Sequence, residues 1–392
     1  MFTLIKQADV YAPQPLGIKD ILLAGSQIAQ ISEPGKITLS GINGQEIDAA
    51  GRIVIPGFID PHVHLLGGGG EGGPATRAPE IFIEDIILNG ITTVIGCLGT
   101  DGTTRHLESL LAKARALEQE GITTFIFSGS YELPLITLTG SIRRDLILID
   151  KVIGAGEVAI SDHRSSQPTF EEFARLAANC RVGGMLAGKA GILHCHLGDG
   201  PRGLQLLFRL IKETEIPPSQ VIPTHVNRNK NLLEEAFQFV REGGFIDITA
   251  TLELEEGTHL SLAQAIRKAK EHLIPLDRVM VSSDSNGSLP VFNKQGELIG
   301  LTIATQQTLL ENFKYLIKKE ILSLEETIKL FSTNAARFYH FLSKGLIVPG
   351  KDADLLVFDQ HFRLKQVFCR GKLALNEGVP LLKRTVSSPQ RH

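Results

Sequence analysis

Between Pro56-Gly57 and Lys344 the chain alternates two kinds of element, and in one kind the polar residues gather at a single end. Eight short apolar runs, "GFIDPHVHL", "TTVIGCLGTD", "TTFIFSGSY", "VAISDHRS", "GILHCHLGD", "VIPTHVNRN", "FIDITA" and "VMVSSDSNG", carry their polar residues at or near their C-terminal ends. Amphipathic stretches of helical period, such as "HLESLLAKARALEQEG", "TFEEFARLAANCRVG" and "NLLEEAFQFVREGG", lie between them. Alternation of this type predicts an α/β fold with a parallel sheet. Eight strands predict a (β/α)8, TIM-like barrel, whose active site is built at the C-terminal ends of the strands.

The two ends of the chain have a different character. "DILLAG", "SQIAQISE" and "QEIDAAG" before the barrel, and "GLIVPGKDADLLVFD", "LKQVFCRGKLAL" and "VPLLKR" after it, read as short strands with turn residues between them. Residues 1–55 and 345–392 are therefore expected to pair into one small β-sandwich domain beside a barrel of residues 56–344. A chain of 392 residues suits that division. A formal net charge of −3 offers no basic field for nucleic acid or an anionic membrane. No apolar run of bilayer length occurs, and Lys6, Gln7 and Asp9 interrupt the opening residues, which do not read as a signal peptide. Cys97, Cys180, Cys195 and Cys369 are far apart and form no C-x-x-C pair, which fits a reducing compartment, and the cytoplasm is the expected location.

The strand ends carry the chemistry. His62 and His64 are two residues apart at the end of the first barrel run, so both imidazoles can face one point. His196, His225 and Asp284 end three later runs. Imidazole and carboxylate together suit zinc and similar divalent ions.

On these residues the sequence resembles the amidohydrolase superfamily. "GFIDPHVHL" is similar to its opening metal motif, "STNAARF" to a helical segment late in the chain, and "GLIVPGKDADLLVFD" to the segment that returns to the small β domain. The resemblance implies two divalent metal ions, with zinc the expected identity, bridged by a carboxylated lysine. Here "GAGEVAISDHRS" holds Glu157 where that lysine would stand. Glutamate presents the same bidentate anion on a shorter arm, and Glu157 is taken as the bridge. Lys151, the nearest lysine, lies outside the apolar run. The metal ligands are thus His62, His64, Glu157, His196, His225 and Asp284. His194 is expected to face away from His196 and pack outside the barrel mouth, while His163 is a candidate to support a ligand. The other histidines, His106, His259, His272, His340, His361 and His392, are expected to be solvated.

Two metal ions about 3.5–4 Å apart acidify a shared water and polarise a carbonyl. Asp284 would take the proton from that attacking hydroxide's parent water and pass it to the leaving amine. Specificity must come from other side chains. "HLLGGGGEGGPATR" lets the backbone approach a ligand closely, and Glu71 offers an anion for an ammonium group. Arg164 and Arg228 could clamp a carboxylate, and Tyr131 could donate to an oxyanion. One anion and two cations around a metal-activated water suit a zwitterion such as a dipeptide.

The stretches "GGGGEGGP", "RHLESLLAKARALEQEGI", "VIGAGEVAISDHRS", "RVGGMLAGKAG", "IPTHVNRN" and "SSDSNGS" resemble the isoaspartyl dipeptidases within that superfamily. That resemblance implies hydrolysis of a β-aspartyl isopeptide bond. It implies that Glu71 holds the α-amino group, Gly69 and Thr100 contact the aspartyl carboxylate, and Arg164 and Arg228 bind the carboxylate of the leaving residue. It also implies that Tyr131 supports the oxyanion, that Ser288 lines the pocket, and that the enzyme is a cytoplasmic homo-oligomer, as large as an octamer. The alternatives are a dihydroorotase-like or hydantoinase-like cyclic amidase, which would have no use for Glu71, and a non-catalytic assembly protein of the same fold, which would have no use for the full ligand set.

Overall fold

The structure is a computed structural model that describes residues 2–41, 43–252, 259–292 and 298–386. Five N-terminal strands come first: β1 (Phe2–Tyr11), β2 (Pro15–Ala24), β3 (Gln27–Ser32), β4 (Gly44–Asp48) and β5 (Ile53–Pro56). Eight strands follow in the central region: β6 (Phe58–Val63), β7 (Ile91–Gly96), β8 (Thr123–Ser128), β9 (Val152–Ile160), β10 (Ile192–Leu197), β11 (Val221–Thr224), β12 (Ile246–Thr249) and β13 (Val279–Ser282). Each of the eight apolar runs overlaps one of them, although β9 begins six residues before "VAISDHRS" and that run holds only its last three residues. Strands β6 to β11 form one parallel sheet in sequence order, and β12 and β13 form a parallel pair. A parallel bridge between Val63 and Ser285 links the end of β6 to the chain just beyond β13.

Helices connect the strands: α1 (Ile83–Ile87), α2 (Leu107–Glu120), α3 (Ile142–Leu148), α4 (Phe170–Ala187), α5 (Gln205–Glu213), α6 (Lys230–Arg241) and α7 (Leu262–Glu271). Their starts are legible in the residues. Thr169 caps α4 through the Glu172 backbone N–H while the Glu172 side chain returns to the Thr169 N–H, and Ser261 and Gln264 do the same for α7. A hairpin of β14 (Ser288–Phe292) and β15 (Leu298–Ile303), which the sequence reading did not anticipate, follows β13 and precedes α8 (Gln307–Lys318). No helix among the described residues is long and apolar enough to cross a membrane.

Four C-terminal strands, β16 (Leu355–Phe358), β17 (Leu364–Cys369), β18 (Lys372–Asn376) and β19 (Val379–Pro380), join the N-terminal ones. The expected sandwich is corrected here: all nine strands are hydrogen-bonded into one sheet, in the order β19-β18-β17-β16-β5-β1-β2-β3 with β4 also on β1. The branch lies on β1, whose first half pairs with β4 and whose later residues Asp9 and Val10 pair with β5. Alternating apolar residues of this sheet, among them Ile5, Val10, Ile21, Leu23, Val54, Leu355, Val357 and Phe368, make its own buried core.

The central strands have a separate interior. Ile59, Ile95, Phe127, Ile153, Ile192, Ile222 and Met280, one from each of seven parallel strands, pack in one buried cluster with Phe338, Tyr339 and Phe341. That apolar layer excludes water from one side of the polar residues at the strand ends, which form the site.

Candidate metal centre and substrate cleft

All thirteen side chains or backbone positions singled out from the sequence meet at one place. His62 and His64 stand at the end of β6, Glu157 in the second half of β9, His196 near the end of β10, His225 one residue beyond β11, and Asp284 two beyond β13. All six are buried. His225 (φ 61°) and Asp284 (φ 54°) take left-handed backbone conformations, which turn their side chains at the strand ends at some local cost.

The Glu157 carboxylate touches all four histidines. Its Oε2 lies 3.0 Å from His196 Nδ1, 3.3 Å from His62 Nε2 and 3.8 Å from His225 Nε2, and its Oε1 lies 3.4 Å from His64 Nε2. Asp284 faces the other side, with Oδ1 3.1 Å from His64 Nε2 and 3.6 Å from His62 Nε2, and Oδ2 3.9 Å from His225 Nδ1. Lys151 is at the far end of β9, where its ammonium group meets the Thr124 carbonyl and Glu118.

These residues fit a cation. His62 Nε2 and Glu157 Oε1 are buried and make no hydrogen bond, and a buried polar atom without a partner is costly. Burial resists charge on Glu157, but the His62 and His196 rings outweigh it and hold its carboxyl well below the usual range. Burial likewise opposes protonation of His62 and His64, yet neighbouring Cys97 and Glu157 hold both well above the usual histidine value. Burial takes His225 the other way, down to about 3. The centre therefore calls for positive charge, which dications between these ligands would meet. Ligand atoms group as His62, His64, Cys97 and Glu157; as His62, His225 and Asp284; and as Glu157, His196 and His225, each set lying within 4.8 Å.

Glu71 anchors the substrate side. Its carboxylate accepts from Thr100 Oγ1 at 3.0 Å, Ser288 Oγ at 3.1 Å and Arg164 Nη1 at 3.2 Å. Arg164 also donates Nε and Nη2 to Asp162, at 3.0 and 2.8 Å, and Arg228 Nη2 lies 3.4 Å from His196 Nε2. The Tyr131 hydroxyl is 2.8 Å from His196 Nδ1. Burial, with the Glu157 charge nearby, pushes the phenol well above its ordinary value, so it stays protonated and able to donate. These residues, with Gly68, Gly69, Gly99, His64 and Asp284, enclose a cleft of about 300 Å³ that adjoins a wider one of about 1410 Å³.

The glycine loop has a steric reason. Gly67 (φ 75°) and Gly69 (φ 77°) run so close to residues 76–79 that a Cβ would fall 2.2 Å from the Ala78 carbonyl oxygen and 2.4 Å from that of Thr76, respectively. Arg105 holds the loop from beneath, donating to the carbonyls of Gly68 at 2.8 Å and Ala78 at 3.2 Å. Sequence reasoning missed Arg105, since its partners are distant backbone oxygens.

Three other outcomes differ from expectation or extend it. His194 is not outside the barrel mouth. Residues two apart on a strand face the same side, so it shares the interior with His196, fully buried, its Nε2 3.0 Å from His62 Nδ1. His163 projects into solvent, 3.6 Å from Asp162 Oδ1, and the residue that reaches His196 is Asp162 instead, 3.1 Å from its Nε2. Five of the six histidines expected to be solvated are exposed, with His259 at the rim of the wider cleft, and His392 lies outside the described residues.

Comparison with known proteins places this geometry in context. Two models, each described as "Amidohydrolase family", match residues 187–374 and 45–94. A β-aspartyl dipeptidase from Fervidobacterium islandicum AW-1, in complex with a β-Asp-Leu dipeptide, is 44% identical, with a TM-score of 0.90 over 99% of this chain and 100% of that one. An adenine deaminase of Halalkalibacterium halodurans is 25% identical over 95% of this chain, which spans only 57% of the deaminase's length. A dihydroorotase of Streptococcus thermophilus is 21% identical over 86% of this chain and 85% of its own.

Proposed function

The chain belongs to the amidohydrolase family and within it to the β-aspartyl dipeptidases, and from that premise we propose that it hydrolyses the isopeptide bond of β-aspartyl dipeptides in a metal-dependent reaction. The observation that carries this reading is the cleft wall, where the Glu71 carboxylate and the Arg164 guanidinium lie 3.2 Å apart, and Arg164 Nη2 and Arg228 Nη2 converge on His196 Nε2 at 3.2 and 3.4 Å. A substrate with a free ammonium and free carboxylates can exchange these internal pairings for its own. A cyclic amide has no ammonium group to offer Glu71.

The strands around the site, with one inward residue from each of seven, support closure as a (β/α)8 barrel. His62, His64, Asp284 and Glu157 would hold one ion, and Glu157, His196 and His225 the other, with Glu157 shared. When bound, the pair supplies Lewis acidity to the scissile carbonyl and lowers the pKa of a water. Zinc suits this donor set.

The chain's own residues do the rest. Glu71 binds the α-ammonium group, with Thr100 and Ser288 fixing its carboxylate. Gly69 and Thr100 border the aspartyl carboxylate. Arg164 and Arg228 take the carboxylate of the leaving amino acid, and Tyr131 donates its hydroxyl to the oxygen of the tetrahedral species. Asp284 is buried, but His225, His64 and His62 hold it as a carboxylate. It accepts a proton from water and returns it to the departing amine, so that water and dipeptide become aspartate and a free amino acid.

Incubation of the purified, metal-loaded protein with β-Asp-Leu and with α-Asp-Leu tests the assignment. Release of leucine from the β isomer alone is expected. Equal cleavage of both, or turnover of hydantoins alone, would refute it.

A further inference from the structure

We propose that Cys97 is a sulfur ligand of the ion held by His62 and His64. The inference rests on the reading that this centre binds metal, and adds to it a donor of a different chemical class.

Cys97 follows directly on β7, on the floor of the site, and is 1% exposed. Its Sγ lies 3.9 Å from His64 Nδ1, and ligand atoms of His62, His64, Glu157 and Cys97 all fall within 4.8 Å of one another. Ligand atoms around a tetrahedral zinc, with bonds of about 2.0–2.3 Å, stand roughly 3.3–4 Å apart. Within the group, His62 Nε2 and Glu157 Oε2 are 3.3 Å apart.

Independent of the thiol, two wholly buried atoms point into the same space without a hydrogen bond, His62 Nε2 and Glu157 Oε1. Besides the His62 ring, the sulfur has only long contacts, with the Val63 carbonyl at 3.7 Å and His64 Nδ1 at 3.9 Å. One proton on His62 Nε2 would have to be shared between Glu157 and the sulfur. A cation meets all three groups directly. The other cysteines, Cys180, Cys195 and Cys369, are buried and belong to none of the three groups of candidate ligand atoms.

With the thiolate added to two nitrogens and the carboxylates of Glu157 and Asp284, the set is one that magnesium and manganese disfavour and that zinc and cobalt accept, because the thiolate is soft. Cys97 would therefore set metal identity as well as affinity. The rival arrangement keeps the thiol outside the coordination sphere, as a weak partner of the His64 ring.

Cobalt separates the two. The full-length protein is stripped of metal and reloaded with Co2+, as wild type and as Cys97→Ser, which retains the other three cysteines. Wild type should show a thiolate-to-cobalt charge-transfer band in the near ultraviolet beside the visible d–d bands, and the variant should lose that band while keeping d–d absorption. Wild-type d–d bands without charge transfer, or a charge-transfer band unchanged in Cys97→Ser, would overturn the proposal and leave the metal centre standing. Absence of d–d bands altogether would overturn both. Should the variant fail to fold, X-ray absorption of zinc-loaded wild type decides alone: a sulfur shell at about 2.3 Å is expected, and a shell of nitrogen and oxygen only would overturn it.

Discussion

Nε2 of His194 lies 3.0 Å from Nδ1 of His62. His194 in turn stacks on Phe127, with ring centroids 4.7 Å apart. Burial, aided by the His62 charge, holds His194 well below the usual histidine value, so it stays neutral and can accept. A proton on His62 Nδ1 then donates to His194 and leaves Nε2, the atom without a hydrogen bond, free for metal. Loss of such an outer partner costs about 10–100-fold in metal affinity. His194→Ala should show a loss of that size when zinc is titrated against a competing chelator. Wild-type affinity in that variant would reduce His194 to packing.

Glu157 gives a second expectation. A glutamate carboxylate is permanent, whereas a lysine carbamate forms reversibly from carbon dioxide. Metal-free protein should therefore recover full activity on adding zinc without bicarbonate. Glu157→Gln removes the negative charge shared between two dications, and should lose at least one ion and most activity. Two tightly held ions with full activity in that variant, counted by elemental analysis, would show that Glu157 does not bridge.

The contrast among these residues shows what a sequence reveals. His62, His64, His196, His225 and Asp284 were legible because strand periodicity and strand ends are written locally. Glu157 was legible only through family resemblance, since a lone glutamate in an apolar run has no motif. His194 was misread although the same periodicity of two applied to it: a residue sharing the face of His196 must share its interior. Cys97 looked like any small apolar residue in "TTVIGCLGTD", and only the fold brings it to His64, 33 positions earlier. The branch on β1 depends on long-range pairing that no local pattern encodes.

Arg228 is the less committed of the two guanidinium groups. Arg164 already makes two hydrogen bonds to Asp162, whereas Arg228 Nε is buried without a partner. Arg228 thus retains donors for a substrate carboxylate. Arg228→Lys keeps the charge but loses the planar fork. It should raise the KM for β-Asp-Leu by about tenfold or more while changing kcat less. Unchanged steady-state kinetics would remove Arg228 from the binding site.

Asp247, on β12, ties together the strands beneath the centre. Its Oδ2 accepts from Thr224 and Ser282, each at 2.6 Å, and these residues lie next to His225 and two before Asp284. Its Oδ1 has no hydrogen-bond partner. Burial pushes this carboxyl from 3.8 up to about 6, against the lowering effect of the two hydroxyl donors. A raised carboxyl value means that, between about pH 4 and pH 6, the folded protein keeps a proton that the unfolded chain has released. Stability from this group is accordingly full below pH 4, falls as pH rises through 6, and is level above it. A shift of about two units corresponds to roughly 3 kcal/mol. Asp247→Asn cannot titrate, so subtracting its unfolding free energy from that of wild type cancels the remaining carboxylates. Denaturant unfolding of the metal-free proteins should show that difference shrinking by roughly this amount from pH 4 to pH 7, in favour of the variant. A difference independent of pH would mean that Asp247 is ionised in the folded protein throughout.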